Sequence, residues 1–343
     1  MTLLDRKTYI GGSDAAAILG VSPWATPLKT YFQKIGDTLP EDMIDDPARE
    51  RLFKRGKLME PVIIEMLIDA HPIKITKRST PKEPNRYVDQ ELDFMAAEID
   101  AEWEVTKEIV DHFAANEYHI DPALIGTTQN IEVKSMAPFV AWKKLGEEGT
   151  DEIPVDYFAQ AMHGLMVTRR QLTLFVVGSG WDPLIYWVKR DEETITGMRE
   201  KETRFWIDNV IARVPPPVAN LPDVYRMLKR RLATKLEATP EIASLIQTLK
   251  VLTNRRGMTE DAIDAVQYEI GCGLLGAEAM NAPPKKEVGK HVVMVGGQPA
   301  LTIAYQEQER IDAELLRARY PAAAEECKKV SKFFKFTLKR SAS

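Results

Sequence analysis

Leu92-Asp-Phe-Met-Ala-Ala-Glu-Ile-Asp100 and Ile131-Glu132-Val133-Lys134-Ser-Met136 are the stretches on which the fold turns, with 31 residues between Asp100 and Glu132. Both are apolar runs that read as strands, the first over 92–99 and the second over 130–135. Alternate residues of a strand share a face, so Glu132 and Lys134 point one way and Val133 points into the opposite layer. One carboxylate from each of two neighbouring strands makes an oxygen-rich site suited to Mg²⁺ or Mn²⁺. A lysine two residues along can position or deprotonate a water there. These are the parts of metal-assisted phosphodiester hydrolysis. The same Glu-x-Lys spacing recurs at Glu326-Cys327-Lys328, on an expected exposed helix, where a solvated surface pair is the simpler reading.

Working outward, strands are expected at 73–77, 172–178 and 184–189, and helices at 14–19, 27–36, 48–70, 153–167 and 191–212. Interleaved strands and helices argue for a mixed α/β layer. Pro215-Pro216-Pro217 cannot continue a helix and marks a boundary. Beyond it, helices are expected at 222–236, 240–254 and 259–279. A hairpin follows, with His291–Val295 and Ala300–Ala304 flanking Gly296-Gly297. Short helices at 311–319 and 321–329 and a strand at 333–338 complete the expectation.

The chain has 343 residues, 44% of them apolar and 28% charged, which fits about two globular domains. No apolar run reaches the length of a membrane span, and the N-terminus has no signal-peptide plan, so a cytoplasmic protein is expected. Two cysteines, Cys272 and Cys327, are too few for a disulfide framework or a four-thiolate cluster. The net charge of −5 hides an asymmetry, because residues 214–343 carry 20 Lys and Arg against 15 Asp and Glu. Residues 89–121 hold eleven carboxylates and a single base, Lys107. Such a cluster is either a solvated face or a divalent-metal site. Residues 222–256 carry eight bases against three acids, and 328–343 six against none. A basic arm of that kind can track a nucleic-acid backbone or serve as an assembly module.

Three further segments bear polar residues in places that invite function. Gly11-Gly12-Ser13 opening a helix offers free N–H groups and a hydroxyl to a phosphate, and Arg6 adds a charge-assisted clamp; alternatively, Ser13 or Asp14 simply caps the helix. Gly56 and Pro61 sit oddly inside the expected 48–70 helix. A close backbone approach at Gly56, with Glu60 facing a site, would explain them, and so would a kinked surface helix. The helix of Tyr157 to His163 carries Gln160 and His163 on an otherwise apolar face. His163 reads as a satisfied core histidine rather than a zinc ligand.

In this order the segments resemble the YqaJ-type viral recombinase family, relatives of phage lambda exonuclease within the PD-(D/E)xK nuclease superfamily. The resemblance rests on IGGSDAAAILGVSPWATPL (10–28), RGKLMEP (55–61), Asp100 followed by IEVK (131–134), and YFAQAMHGLMVTRR (157–170). It implies a restriction-endonuclease-like α/β core, a mixed central β-sheet flanked by helices, over residues 1–213. A C-terminal α+β extension would occupy 218–343. It further implies a Mg²⁺-dependent exonuclease, with Mn²⁺ as a possible substitute, that digests linear double-stranded DNA ends 5′→3′ and leaves 3′ single strands. Asp100, Glu132 and the Val133 carbonyl would bind the metal, and Lys134 would orient the attacking water. Glu60 would hold a second ion or its water shell, Gln160 would brace the site, and Arg6 and Ser13 would grip the 5′-phosphate. The implied partners are a single-strand annealing protein and further copies of the chain, up to a trimeric ring.

The sequence departs from the pattern in places. Ile99 stands where the superfamily name has Pro, Ala101 stands where many relatives have Gly, and the 101–130 segment is longer than the usual hairpin. Glu98, Glu102 and Glu104 are alternatives to Asp100. A structure- or site-selective endonuclease on the same core, or a silenced DNA-binding or assembly protein, are the other readings.

Overall fold

The structure, a computed structural model, describes residues 5–37, 47–115, 118–230, 235–254, 260–275, 290–311 and 328–338. The chain divides into two units, Met1–Pro217 and Val218–Ser343. No helix among the described residues is long and apolar enough to cross a membrane.

In the first unit, α1 (Gly12–Ile18) and α2 (Pro27–Ile35) precede the long α3 (Pro47–Ala70). Local chemistry sets the ends of α2. Thr26 caps it by accepting from the Lys29 N–H at 3.1 Å, Pro27 occupies its first turn, and Gly36 at φ +75° closes it. Next come β1 (Lys74–Arg78), β2 (Arg86–Val88), β3 (Ala96–Glu98), β4 (Ala101–Glu104) and α4 (Lys107–Ala115). Strand β5 (Thr128–Ser135) carries the Glu-x-Lys, followed by α5 (Pro138–Lys144) and α6 (Val155–Thr168). The unit ends with β6 (Leu172–Gly178), β7 (Pro183–Lys189) and α7 (Glu192–Arg204), which runs on as a π-helical turn over Phe205–Ile211.

The central sheet has the order β1-β4-β5-β6-β7. Every neighbouring pair is antiparallel except β5 and β6, which are parallel. A parallel pair needs a crossover connection, and α5 and α6 supply it. This is the mixed central sheet flanked by helices that the sequence led one to expect. Alternation along β5 sorts two layers. Ile131 and Val133 face a core with Trp103, Leu174, Val176 and Ile185, covered by Ile63, Ile64 and Leu67 of α3 and Ile109 and Phe113 of α4. Across the sheet, Phe175, Val177, Tyr186 and Val188 pack under Met162, Leu165 and Met166 of α6 and Ile195 and Met198 of α7. Glu132 and Lys134 therefore belong to the α6 side, in register with Phe175 and Val177.

Several sequence expectations need correction. The 92–99 strand shortens to Ala96–Glu98, which pairs with β2 in a separate two-stranded sheet. The long 101–130 segment contributes to the core. Its first four residues are β4, a central strand in which Ala101 and Trp103 are fully buried, and α4 buries Ile109, Val110 and Phe113. Alternation explains how an acidic run supplies a core strand: Glu102 and Glu104 lie on the face opposite Ala101 and Trp103.

In the second unit, α8 (Leu221–Leu228), β8 (Lys235–Glu237), α9 (Pro240–Asn254) and α10 (Glu260–Leu274) come first. Strands β9 (Lys290–Val295), β10 (Gln298–Ile311) and β11 (Lys328–Leu338) complete a four-stranded sheet of order β11-β10-β9-β8. Val224, Leu228, Ile246, Ile270, Val293, Leu301 and Ile303 make its core. Gly296 and Gly297, at φ +58° and +77°, form the expected tight hairpin turn. The 222–236 helix stops at Leu228, and Lys235–Glu237 instead pair in parallel with β9. Of the short helices expected at 311–319 and 321–329, Ile311 ends β10 while Lys328 and Lys329 begin β11. The remainder lies outside the described residues, as do Glu326 and Cys327. Lys328 therefore sits on a strand and not on a helix.

Candidate active site

Strand pairing brings the carboxylates together. Ala101 pairs with Ile131, so Asp100, one residue before β4, arrives beside Glu132 on the α6 face. Its Oδ2 accepts from the Val133 N–H at 2.8 Å, which fixes the carboxylate to the strand bearing Glu132 and Lys134. Glu132 is only 5% exposed, and its Oε1 accepts from both Lys134 Nζ and Gln160 Nε2 of α6. Glu60 enters from α3 and lines the same cleft of about 370 Å³, together with Asp100, Glu132, Lys134 and Gln160. Arg6, Gly11, Gly12 and Ser13 line it too. Arg6 Nη2 donates to Ser13 Oγ at 2.6 Å, with both side chains open to solvent.

Each of the three alternative acids has basic partners of its own, although Glu98 also lines the cleft. Glu102 accepts from Arg170 at 2.8 Å and from the Tyr87 hydroxyl, and Glu104 pairs with Lys74 at 2.5 Å. Glu98 accepts from Arg86 at 3.2 Å and Ser79 at 3.3 Å. Asp100 is the acid that geometry places next to Glu132. Gly56 has open space where a Cβ would stand, so of its two readings the close backbone approach is absent. The close approach occurs at Gly12 instead, where a Cβ would lie 3.1 Å from Gln160 Cγ. A bare backbone at that point lets α1 abut the glutamine that holds Glu132.

Burial, with crowding of like charge added to it, sets the electrostatics. Burial, reinforced by Glu132, pushes the Asp100 carboxyl well above the ordinary carboxylate range. Burial also raises Glu60, with Lys134 opposing and Glu132 adding to the shift. Burial alone would lower the Lys134 ammonium, but Glu132 and Asp100 outweigh it and hold it above the usual lysine value. In this arrangement Lys134 Nζ donates to Glu132 Oε1.

The donor set is hard oxygen on adjacent strands, with one ammonium facing several carboxylates. Among the described residues no three His, Cys, Asp or Glu side chains converge into an ion-holding group of their own. Mg²⁺ suits such a site, since it keeps several waters and binds through one or two carboxylates plus substrate phosphate. A larger hollow of about 760 Å³, lined by Arg169, Arg190, Arg199 and Arg204, lies away from these carboxylates. Each of those arginines is paired with Asp89, Glu91, Glu192 or Glu200, so the hollow offers no spare positive charge.

Residues 3–171 match the YqaJ-like viral recombinase domain. That segment is a YqaJ-like viral recombinase domain. Among curated proteins the chain is similar to "Uncharacterized protein YqaJ" of Bacillus subtilis (strain 168). The two are 22% identical over 346 residues, covering 98% of this chain and 93% of that protein. Among solved structures it is similar to an alkaline exonuclease (LHK-Exo) from Laribacter hongkongensis, at 14% identity and a TM-score of 0.41. The overlap covers 61% of this chain and 90% of that one. The same exonuclease in complex with dAMP gives 15% identity and a TM-score of 0.40 over the same shares.

Sequence reasoning missed the residues that hold the YqaJ-like domain's N-terminal loop. Lys34 of α2 is buried, and its Nζ donates to the Arg6 carbonyl at 2.7 Å, the Tyr9 carbonyl at 2.6 Å and Asp14 Oδ2 at 2.6 Å. Asp14 in turn accepts from the Gly11 N–H at 2.9 Å. Burial lowers the Lys34 ammonium, opposed by Asp14. A lysine in an amphipathic helix gives no signal in sequence that it faces inward. Replacing it by methionine strands Asp14 and two carbonyls, and Lys34→Met is expected to cost about 3 kcal/mol, read by thermal unfolding. An unchanged unfolding temperature would show that the ammonium does not brace this loop. Tyr157 was also missed; Lys134 Nζ lies 5.4 Å from its ring centroid.

Proposed function

We propose that this chain is a Mg²⁺-dependent exonuclease that digests one strand of linear duplex DNA 5′→3′, in the cytoplasm of a bacterial host. The observation that carries the reading is the convergence of Asp100, Glu132, Lys134, Glu60 and Gln160 in one cleft whose wall also bears Arg6 and Ser13. A divalent cation held by Asp100, Glu132 and the Val133 carbonyl, with Glu60 serving a second ion or its water shell, would polarise the scissile phosphate and acidify a bound water.

The chain's own residues supply the rest. Gln160 and Lys134 hold Glu132 in one orientation, and the Val133 N–H does the same for Asp100. As an ammonium, Lys134 orients the attacking water and offsets charge building on the phosphate. Arg6 and the Ser13 hydroxyl form a donor pair for a terminal 5′-phosphate. Each cleavage would leave a new 5′-phosphate to occupy that pair, which favours repeated cuts along one strand. The 3′ strand left behind suits a single-strand annealing partner, and several copies of the chain, up to a trimeric ring, would keep hold of the duplex. The basic stretches of the second unit suit either DNA tracking or this assembly.

Linear duplexes with 5′-phosphate and with 5′-hydroxyl ends separate the roles. The phosphorylated end is expected to be digested at least about tenfold faster, and Arg6→Ala to erase that preference while leaving slow digestion intact. Equal rates on the two ends by the unaltered chain would remove Arg6 and Ser13 from the reading.

A further inference from the structure

Helix α5 follows the catalytic strand directly, and its side chains face outward. Pro138 comes four residues after Lys134, at most about 14 Å along the chain. Only Ala141 of the helix is buried, while Phe139 is 71% and Trp142 82% exposed. Three residues apart, the two rings are neighbours on the helix surface. Lys143 and Lys144 follow at once, and the helix holds no acid. The β6–β7 turn lies at the same end of the sheet. The Met136 N–H donates to the Gly178 carbonyl at 3.0 Å, and Trp181, three residues further on, is 96% exposed. Beyond the C-terminal end of α5, the Tyr186 hydroxyl donates to the Gly146 carbonyl at 3.2 Å, which places β7 beside that end. Glu147, Glu148, Asp151 and Glu152 follow α5 in the chain. The Glu148 carboxylate is turned to the Ile185 N–H and that of Glu152 to the Glu147 N–H.

Isolated exposed apolar residues are ordinary, but three large aromatics with two lysines just beyond the end of the strand that bears Lys134 are not. Duplex DNA hides the faces of its bases, whereas an unpaired strand offers them for stacking and its phosphates for pairing with lysine. We propose that α5 and the β6–β7 turn form a stacking surface for the unpaired stretch of the strand entering the carboxylate cleft. Phe139, Trp142 and Trp181 receive its bases, and Lys143 and Lys144 its phosphates. The inference rests on the nuclease reading and specifies where the substrate strand leaves the duplex.

Binding in EDTA separates the two claims, with the full chain and fluorescent single-stranded oligonucleotides, blunt duplexes and duplexes bearing one short unpaired tail. The doubly substituted Phe139→Ser, Trp142→Ser chain is expected to bind the oligonucleotide at least about tenfold more weakly and the blunt duplex nearly as before. Trp181→Ser is expected to act in the same direction. The loss should also appear with the tail that the unaltered chain shortens once Mg²⁺ is restored, and not with the opposite one. Replacing Lys143 and Lys144 by alanine should flatten the salt dependence of oligonucleotide binding by about one log unit per decade. Unchanged oligonucleotide affinity, loss confined to the opposite tail, or an altered native mass marking a contact between copies would each overturn the surface. If the unaltered chain hydrolyses no DNA, the nuclease reading falls, and oligonucleotide affinity alone still decides the surface.

Discussion

Glu132→Gln is expected to lower the rate of DNA hydrolysis by at least about 10³-fold, roughly 4 kcal/mol at the transition state. The amide keeps an acceptor for Gln160 but loses the charge that faces Lys134 and that would hold the proposed cation. Stability should hold or rise, because one of several crowded carboxylates is gone and Asp100 and Glu60 lose a repulsive neighbour. Lys134→Ala should match it in rate, since the orienting donor disappears. Steady-state hydrolysis of a linear duplex with Mg²⁺, alongside thermal unfolding of each variant, makes the comparison. Rates within tenfold of the unaltered chain would move the chemistry away from β5.

His163→Leu is the largest expected loss of stability. His163 and Glu202 are both wholly buried, with Nδ1 2.9 Å from Glu202 Oε2 and Nε2 3.1 Å from the Ala96 carbonyl. Both ring nitrogens face acceptors, so the imidazolium fits this site. Burial alone would lower its pKa, but Glu202, the Ala96 carbonyl and Asp14 raise it above the usual histidine value. Removing the ring strands a buried carboxylate, at a cost of about 3–5 kcal/mol, or roughly 10 °C in unfolding temperature. Adding Glu202→Leu should recover much of that loss, because the second change removes the orphaned charge.

The pH dependence of this pair has a definite sign. A histidine whose folded pKa lies above its unfolded value contributes its full stabilisation below about 6.5, the unfolded value. That contribution fades as pH rises through the folded pKa. The unaltered chain should therefore lose unfolding temperature on the alkaline side by a component that His163→Leu lacks. Parallel pH slopes for the two chains would mean the imidazole is already neutral when folded.

The strands and the long helices were legible because alternation and helical spacing are written into their apolar residues. Glu132 and Lys134 shared a face for that reason, and the structure keeps them there. Residues 101–104 were harder to read. An acidic stretch looks solvated until Trp103 and Ala101 are seen filling one layer while Glu102 meets Arg170 on the other. Choosing among Asp100, Glu98, Glu102 and Glu104 needed register, since only pairing with β5 shows which acid meets Glu132. Gly56 misled because glycine in a helix does not say whether anything passes near it. Gly12, which does admit a neighbour, sat inside a motif that already had another explanation. Lys34 and Glu202 lay beyond sequence reasoning, as a buried charge is defined by partners 20 to 39 residues distant.

Metal-dependent hydrolysis of linear against covalently closed circular duplex tests the account most directly. Incubated with the full chain and Mg²⁺, the linear duplex should be digested from its ends, the circle should stay intact, and EDTA should stop the reaction. No metal-dependent digestion of the linear duplex, or cutting of the circle at an equal rate, would contradict an end-dependent nuclease built on Asp100, Glu132 and Lys134.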